Sequence, residues 1–136
     1  MYNNKINAHG YEKYKEQHVL QASPQELVVM VYDCCLKNLK LAKLSIEAKE
    51  LEKSNIELQK AQDCINELIM GLDFNFEISK SLMSIYDFAI NFIIDINLNK
   101  TSEKIPEIVS IIQELRDAWA EASKLSRKAQ FSGGEA

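Results

Sequence analysis

Glycine and proline are scarce in this 136-residue chain, with four of the first and two of the second. That is about a third of average usage. A sheet protein turns every few residues and a dinucleotide-binding domain needs a glycine loop, so both classes are nearly excluded. Basic excess is also missing, because 16 Lys and Arg face 20 Asp and Glu. Binding nucleic acid by phosphate neutralisation is therefore disfavoured, and no partner of that kind is expected. Histidine occurs twice, as His9 and His18, both ahead of the first helix start. This removes the inward Glu-x-x-His pairs of a di-iron bundle, a phosphotransfer histidine on a helix, and any zinc-ligand spacing. No metal or other cofactor is expected.

Cysteine is limited to Cys34, Cys35 and Cys64, with no Cys-x-x-Cys spacing. Neighbours on a helix point about 100° apart, so Cys34 and Cys35 make no useful bridge to one another. Small buried hydrophobes in a reducing compartment are the simpler reading. Residues 1–17 contain no apolar run of the kind a secretory signal needs. The greasiest stretch, Phe88 to Leu98, is broken by Asn91 and Asp95 and falls short of a membrane span.

What remains is a chain 46% apolar and 26% charged, suited to one soluble domain of long helices. At this length a fold buries roughly two thirds of its unfolded surface, enough for a core without staples. Ser23-Pro24-Gln25-Glu26 is a helix start. Ser23 accepts from the Glu26 amide, Glu26 reaches back, and Pro24 occupies the position where a missing N–H costs nothing. The first helix is expected to reach about Lys49, with the seam Val28, Tyr32, Cys35, Leu39, Ala42, Ile46.

After a break near Leu51 to Ser54, a second seam reads Leu58, Ala61, Ile65, Leu68, Leu72. A third helix follows Asn75, with the seam Ile78, Leu82, Ile85, Ala89, Phe92, Ile96. Thr101 and Ser102 offer caps for a fourth, whose seam is Ile105, Ile108, Ile112, Leu115, Trp119, Ala122. Pro106 fits only in its first turn. These 3-4 steps predict an all-α, antiparallel up-down-up-down four-helix bundle over residues 23–130. Residues 1–22 form an N-terminal arm or short extra helix, and residues 131–136 a disordered tail.

No glycine loop cradles a phosphate, and no nucleophile has a histidine near it in sequence, so no enzyme activity is expected. The informative oddity is apolar surplus. Met30, Val31, Cys34 and Leu36 lie off the first seam, and Met83, Tyr86, Ile90 and Ile93 lie beside the third. An ordinary bundle helix needs one apolar stripe. Such a surplus fits either a helix packed on three sides or a groove that accepts another helix.

Several segments resemble the flagellar secretion chaperones, the FliS family. They are Tyr11, Tyr14 and Val19, then Ala22-Ser23-Pro24-Gln25-Glu26-Leu27 and Met30-Val31-Tyr32-Asp33. The resemblance continues through Lys60-Ala61, Glu67-Leu68, Leu72-Asp73, Leu82, Ile85-Tyr86-Asp87-Phe88 and Leu115-Arg116-Asp117-Ala118-Trp119. Two positions depart: Cys34 stands where the family commonly has glycine, and Asn75-Phe76 replaces a glycine pair.

The resemblance implies a cytoplasmic, ATP-independent chaperone. Its members bind the disordered C-terminal region of flagellin, prevent premature polymerisation and deliver it to the flagellar type III export apparatus. Tyr11, Tyr14 and Val19 match the segment lying near the client surface. Leu27, Tyr32 and Tyr86 match apolar positions that either line the groove or belong to the core. Met30, Ile90 and Ile93 join them as candidate partner-binding residues through the surplus apolar faces. The competing reading is a helical adaptor that uses the same surface to self-associate.

Overall fold

The computed structural model describes residues 22–134, with side chains through residue 128. Four α-helices run antiparallel: α1 Pro24–Glu47, α2 Leu51–Met70, α3 Ile78–Asn99 and α4 Ile105–Gly134. A single 3-10 turn, Ser102–Lys104, precedes α4. The expected arm, with Tyr11, Tyr14 and Val19, lies outside the described residues.

Helix α1 begins where the sequence places it. The Glu26 amide donates to Ser23 Oγ at 3.2 Å, and Pro24 is the first helical residue. The reciprocal half of the box is absent, because the Glu26 carboxylate pairs with Arg127 of α4 instead. The α1–α2 break falls at Ala48–Glu50, earlier than expected. Lys49 takes a left-handed φ of 60°, and the Glu50 amide returns to the Ser45 carbonyl at 2.8 Å. One left-handed residue reverses the chain here, so the helix resumes at Leu51 without a longer spacer.

Helix α3 stops at Lys100, again left-handed with φ 52°. Its ammonium donates to Asn97 Oδ1 at 2.6 Å and to Ser54 Oγ at 3.1 Å, tying the end of α3 to the start of α2. Thr101 precedes the 3-10 turn but its side chain makes no cap bond. Pro106 is second in α4, as its missing N–H requires. At its other end α4 passes Phe131 and continues to Gly134, beyond the expected start of the tail. Extending an existing helix needs no new nucleus, and the chain holds to it as far as the glycine pair.

The core is apolar and contiguous. Leu39, Ala42, Leu58, Ala61, Ile65, Ile96, Ile105, Ile108 and Ile112 are fully buried, which confirms the seams of α1 and α2 and the first half of α4. The seam of α3 is turned from its expected phase. Leu82, Ala89 and Ile96 are buried, but so are Tyr86 and Ile93, while Ile78 is 65% exposed and Ile85 and Phe92 only half-buried. The cause lies in the packing. Helix α1 packs closely on α2 and α4, α2 packs on α3, and of the neighbouring pairs α3 and α4 approach each other least. Helix α3 therefore leans onto α2, and its buried stripe is turned away from α4.

Candidate functional site: an open apolar flank on the third helix

Among the described helices, α3 is the one long and apolar enough to cross a membrane by length and composition. Its Leu82, Tyr86, Ala89, Ile93 and Ile96 are instead packed into the bundle. A helix buried on one stripe needs polar residues elsewhere. Helix α3 carries large apolar residues on both flanks as well. Ile85, Phe88 and Phe92 border one side of its buried stripe, and Met83, Ile90 and Ile94 border the other. Phe88 is 48% exposed, and its ring leans on Phe92 with centroids 5.6 Å apart.

Because α4 stands off from α3, an open groove of about 540 Å³ runs between them. Ser84, Ile85 and Phe88 form one wall; Ile111, Glu114 and Leu115 form the other. A second, more enclosed cavity of about 190 Å³ lies near the end of the bundle where α1 begins. Leu27, Val28, Leu68, Leu72, Tyr86 and Trp119 line it. Exposed Met70, Phe74, Phe76 and Ile78 crowd the α2–α3 link. Fully burying one side chain of the Phe or Leu class is worth about 1.5–3 kcal/mol, so a long chain covering these residues has ample driving force.

The described candidate residues fall in four places, with Tyr86 common to two of them. Leu27 is on the rim of the end cavity and Tyr86 at its floor, so the structure brings these two together. Tyr32, Tyr86 and Ile93 are buried, at 0%, 1% and 0% exposure, which corresponds to the core alternative left open for them by the sequence. The hydroxyls of Tyr32 and Tyr86 meet there across the bundle. Met30 is half-buried on the far side, in a groove between α1 and α4, apart from α3. Ile90 is half-buried on the α3 flank away from α4. The walls formed by Phe88, Ile111 and Leu115 were not singled out as binding residues in the sequence. Their signal was the surplus apolar width of α3, which marks a face without saying which side of it stays open.

The chemistry of these surfaces is that of contact. Burial pushes the Tyr32 and Tyr86 phenols up, so both stay protonated and hydrogen-bonded at neutral pH. Burial likewise raises the Cys35 thiol and pushes the Cys64 thiol up to about 12, leaving no reactive thiolate at either. Among the described residues, no three His, Cys, Asp or Glu side chains converge as metal ligands.

Known proteins share both the sequence and the architecture. A family profile described as "Flagellar protein FliS" matches residues 7–126. The flagellar secretion chaperone FliS of Bacillus subtilis is 34% identical over 124 residues, covering 91% of this chain and 93% of its own length. The Salmonella typhimurium protein of the same name is 31% identical over 119 residues, covering 85% and 86%. A crystal structure of a bacterial flagellar chaperone superposes with a TM-score of 0.71 at 18% identity, over 87% of this chain and 98% of that one. At that identity the superposition speaks for the fold. The sequence matches speak for the family, one of chaperones rather than enzymes: this chain belongs to the FliS family of flagellar secretion chaperones.

Proposed function

We propose that this protein is a cytoplasmic export chaperone for flagellin. It holds the disordered C-terminal segment of the client, prevents its premature polymerisation, and delivers it to the flagellar type III export apparatus. The observation that carries this reading is the open flank of α3, where Phe88 and Ile85 face a groove that α4 does not fill. A disordered client loses chain entropy when it orders, so it needs a long apolar surface in exchange. The α3–α4 groove and the end cavity beside Leu27 and Trp119 supply two such surfaces on one bundle. An amphipathic client helix in the groove, followed by a single large side chain in the cavity, matches their shapes. Tyr11, Tyr14 and Val19 remain proposed client contacts on the grounds of family resemblance.

Mixing the purified protein with the C-terminal segment of its cognate flagellin tests the reading. A 1:1 complex with a gain of helix is expected, together with loss of binding for Phe88→Glu. Absence of binding at micromolar concentrations by a folded protein overturns it. A stable dimer that covers α2 and α3 and ignores flagellin would support the self-associating adaptor instead.

A further inference from the structure

The α1–α4 side of the bundle carries a second groove of different character. One stretch, of about 440 Å³, is lined by Leu36, Leu41 and Leu44 with Lys37 and Lys40 beside them. The next stretch, of about 310 Å³, is lined by Val29 and Met30 with Lys124 and Arg127. Asp33 and Arg116, ion-paired between α1 and α4, border both, so the two stretches are adjacent along α1. Leu41 and Leu44 are 37% and 62% exposed.

The charge here opposes that of the whole chain. The net charge of the protein is −4, yet the lining of this groove holds five cations against two carboxylates. Both carboxylates are already engaged: Arg116 Nε donates to Asp33 Oδ1 at 2.9 Å, and Arg127 pairs with Glu26. Among the described residues, Lys37, Lys40 and Lys124 have no carboxylate within ion-pair distance. An apolar floor with unpaired cations along its edges is complementary to an amphipathic helix with acidic flanks. From Glu26 to Leu44 the groove follows α1 for about five turns, or roughly 27 Å.

We propose that this groove docks an acidic amphipathic helix of a second protein partner, at a site separate from the α3 face. The residues of this chain ahead of α1 do not suit the role, since Lys5, Lys13 and Lys15 outnumber Glu12 and Glu16 there. The two grooves lie on different pairs of helices, α3–α4 and α1–α4.

The test uses the full-length protein and a synthetic helical peptide of about 18 residues, with leucines on one face and glutamates flanking them. The peptide is expected to bind at micromolar concentration. Affinity should fall at least about tenfold for Lys37→Gln/Lys40→Gln/Lys124→Gln, and similarly between about 50 mM and about 500 mM salt. Circular dichroism confirms that the variant folds, and Leu44→Ser supplies an independent disruption of the apolar floor. Phe88→Glu, on the other groove, should leave binding of this peptide unchanged. Equal binding of a peptide with lysine in place of glutamate overturns the proposal, as does loss of binding in Phe88→Glu. Concentration-dependent self-association abolished by the lysine substitutions also overturns it, by assigning the groove to a second copy. So does capture of a single-stranded oligonucleotide in preference to the peptide.

Discussion

The hydroxyls of Tyr32 on α1 and Tyr86 on α3 hydrogen-bond to each other inside the core, with ring centroids 6.5 Å apart and planes tilted by 49°. Helices α1 and α3 thus share a buried polar contact across the core. Removing one hydroxyl strands the other in the core, at a cost of about 1–3 kcal/mol, whereas removing both is nearly neutral. Urea unfolding of Tyr32→Phe, Tyr86→Phe and the double variant should show this non-additivity. Strictly additive losses would mean that the pair is not coupled.

Alkaline pH should unfold the bundle through the same residues. The phenols of Tyr32 and Tyr86 are raised from 10.0, and the thiols of Cys35 and Cys64 from 9.0, chiefly by burial. Above pH 9 the unfolded chain releases thiol protons that the folded chain keeps, and above pH 10 it releases phenol protons as well. With more protons bound in the native state, stability falls as pH rises. Denaturant midpoints should therefore be flat through neutral pH and drop above pH 9. The double Tyr→Phe variant should drop less steeply above pH 10.

Thiol labelling at neutral pH should divide the cysteines one to two. Cys34 is exposed, while Cys35 and Cys64 are buried. A maleimide reagent should modify one equivalent quickly and the remaining two only on unfolding. Fast modification of all three in the native state would contradict the phase of α1 and α2.

Core and flank substitutions on α3 and its neighbours should separate folding from binding. Leu39→Ala, at a fully buried site, should cost about 2–5 kcal/mol of stability. Phe88→Ala should leave the unfolding midpoint almost unchanged yet weaken flagellin-segment binding about tenfold or more, by removing a central aromatic anchor. Calorimetric titration beside thermal unfolding distinguishes the two effects.

Deleting residues 1–15 should leave the bundle folded and change client affinity. A fall would mark Tyr11 and Tyr14 as client contacts. A rise would show that the arm competes for the same surface. Unchanged affinity would exclude both roles.

Helix count, the start of α1 at Ser23, the first-turn placement of Pro106 and the seams of α1 and α2 were legible in the residues alone. Each depends on local physics: a side-chain cap, a missing N–H, or a single apolar stripe recurring every three or four positions. Family membership was legible too, in the Ala-Ser-Pro-Gln-Glu-Leu block and the segments after it. The rotation of α3 was not. Apolar residues cover most of its circumference, so periodicity allows several phases and the neighbours choose among them. Only the tertiary structure decided that Tyr86 meets Tyr32, 54 residues away, and that Phe88 is left beside an open groove. The same holds for the basic groove, whose lysines come from α1 and α4 and look scattered along the chain. A helix knows its own period from its sequence, but which of its faces loses water is set by how closely the next helix approaches.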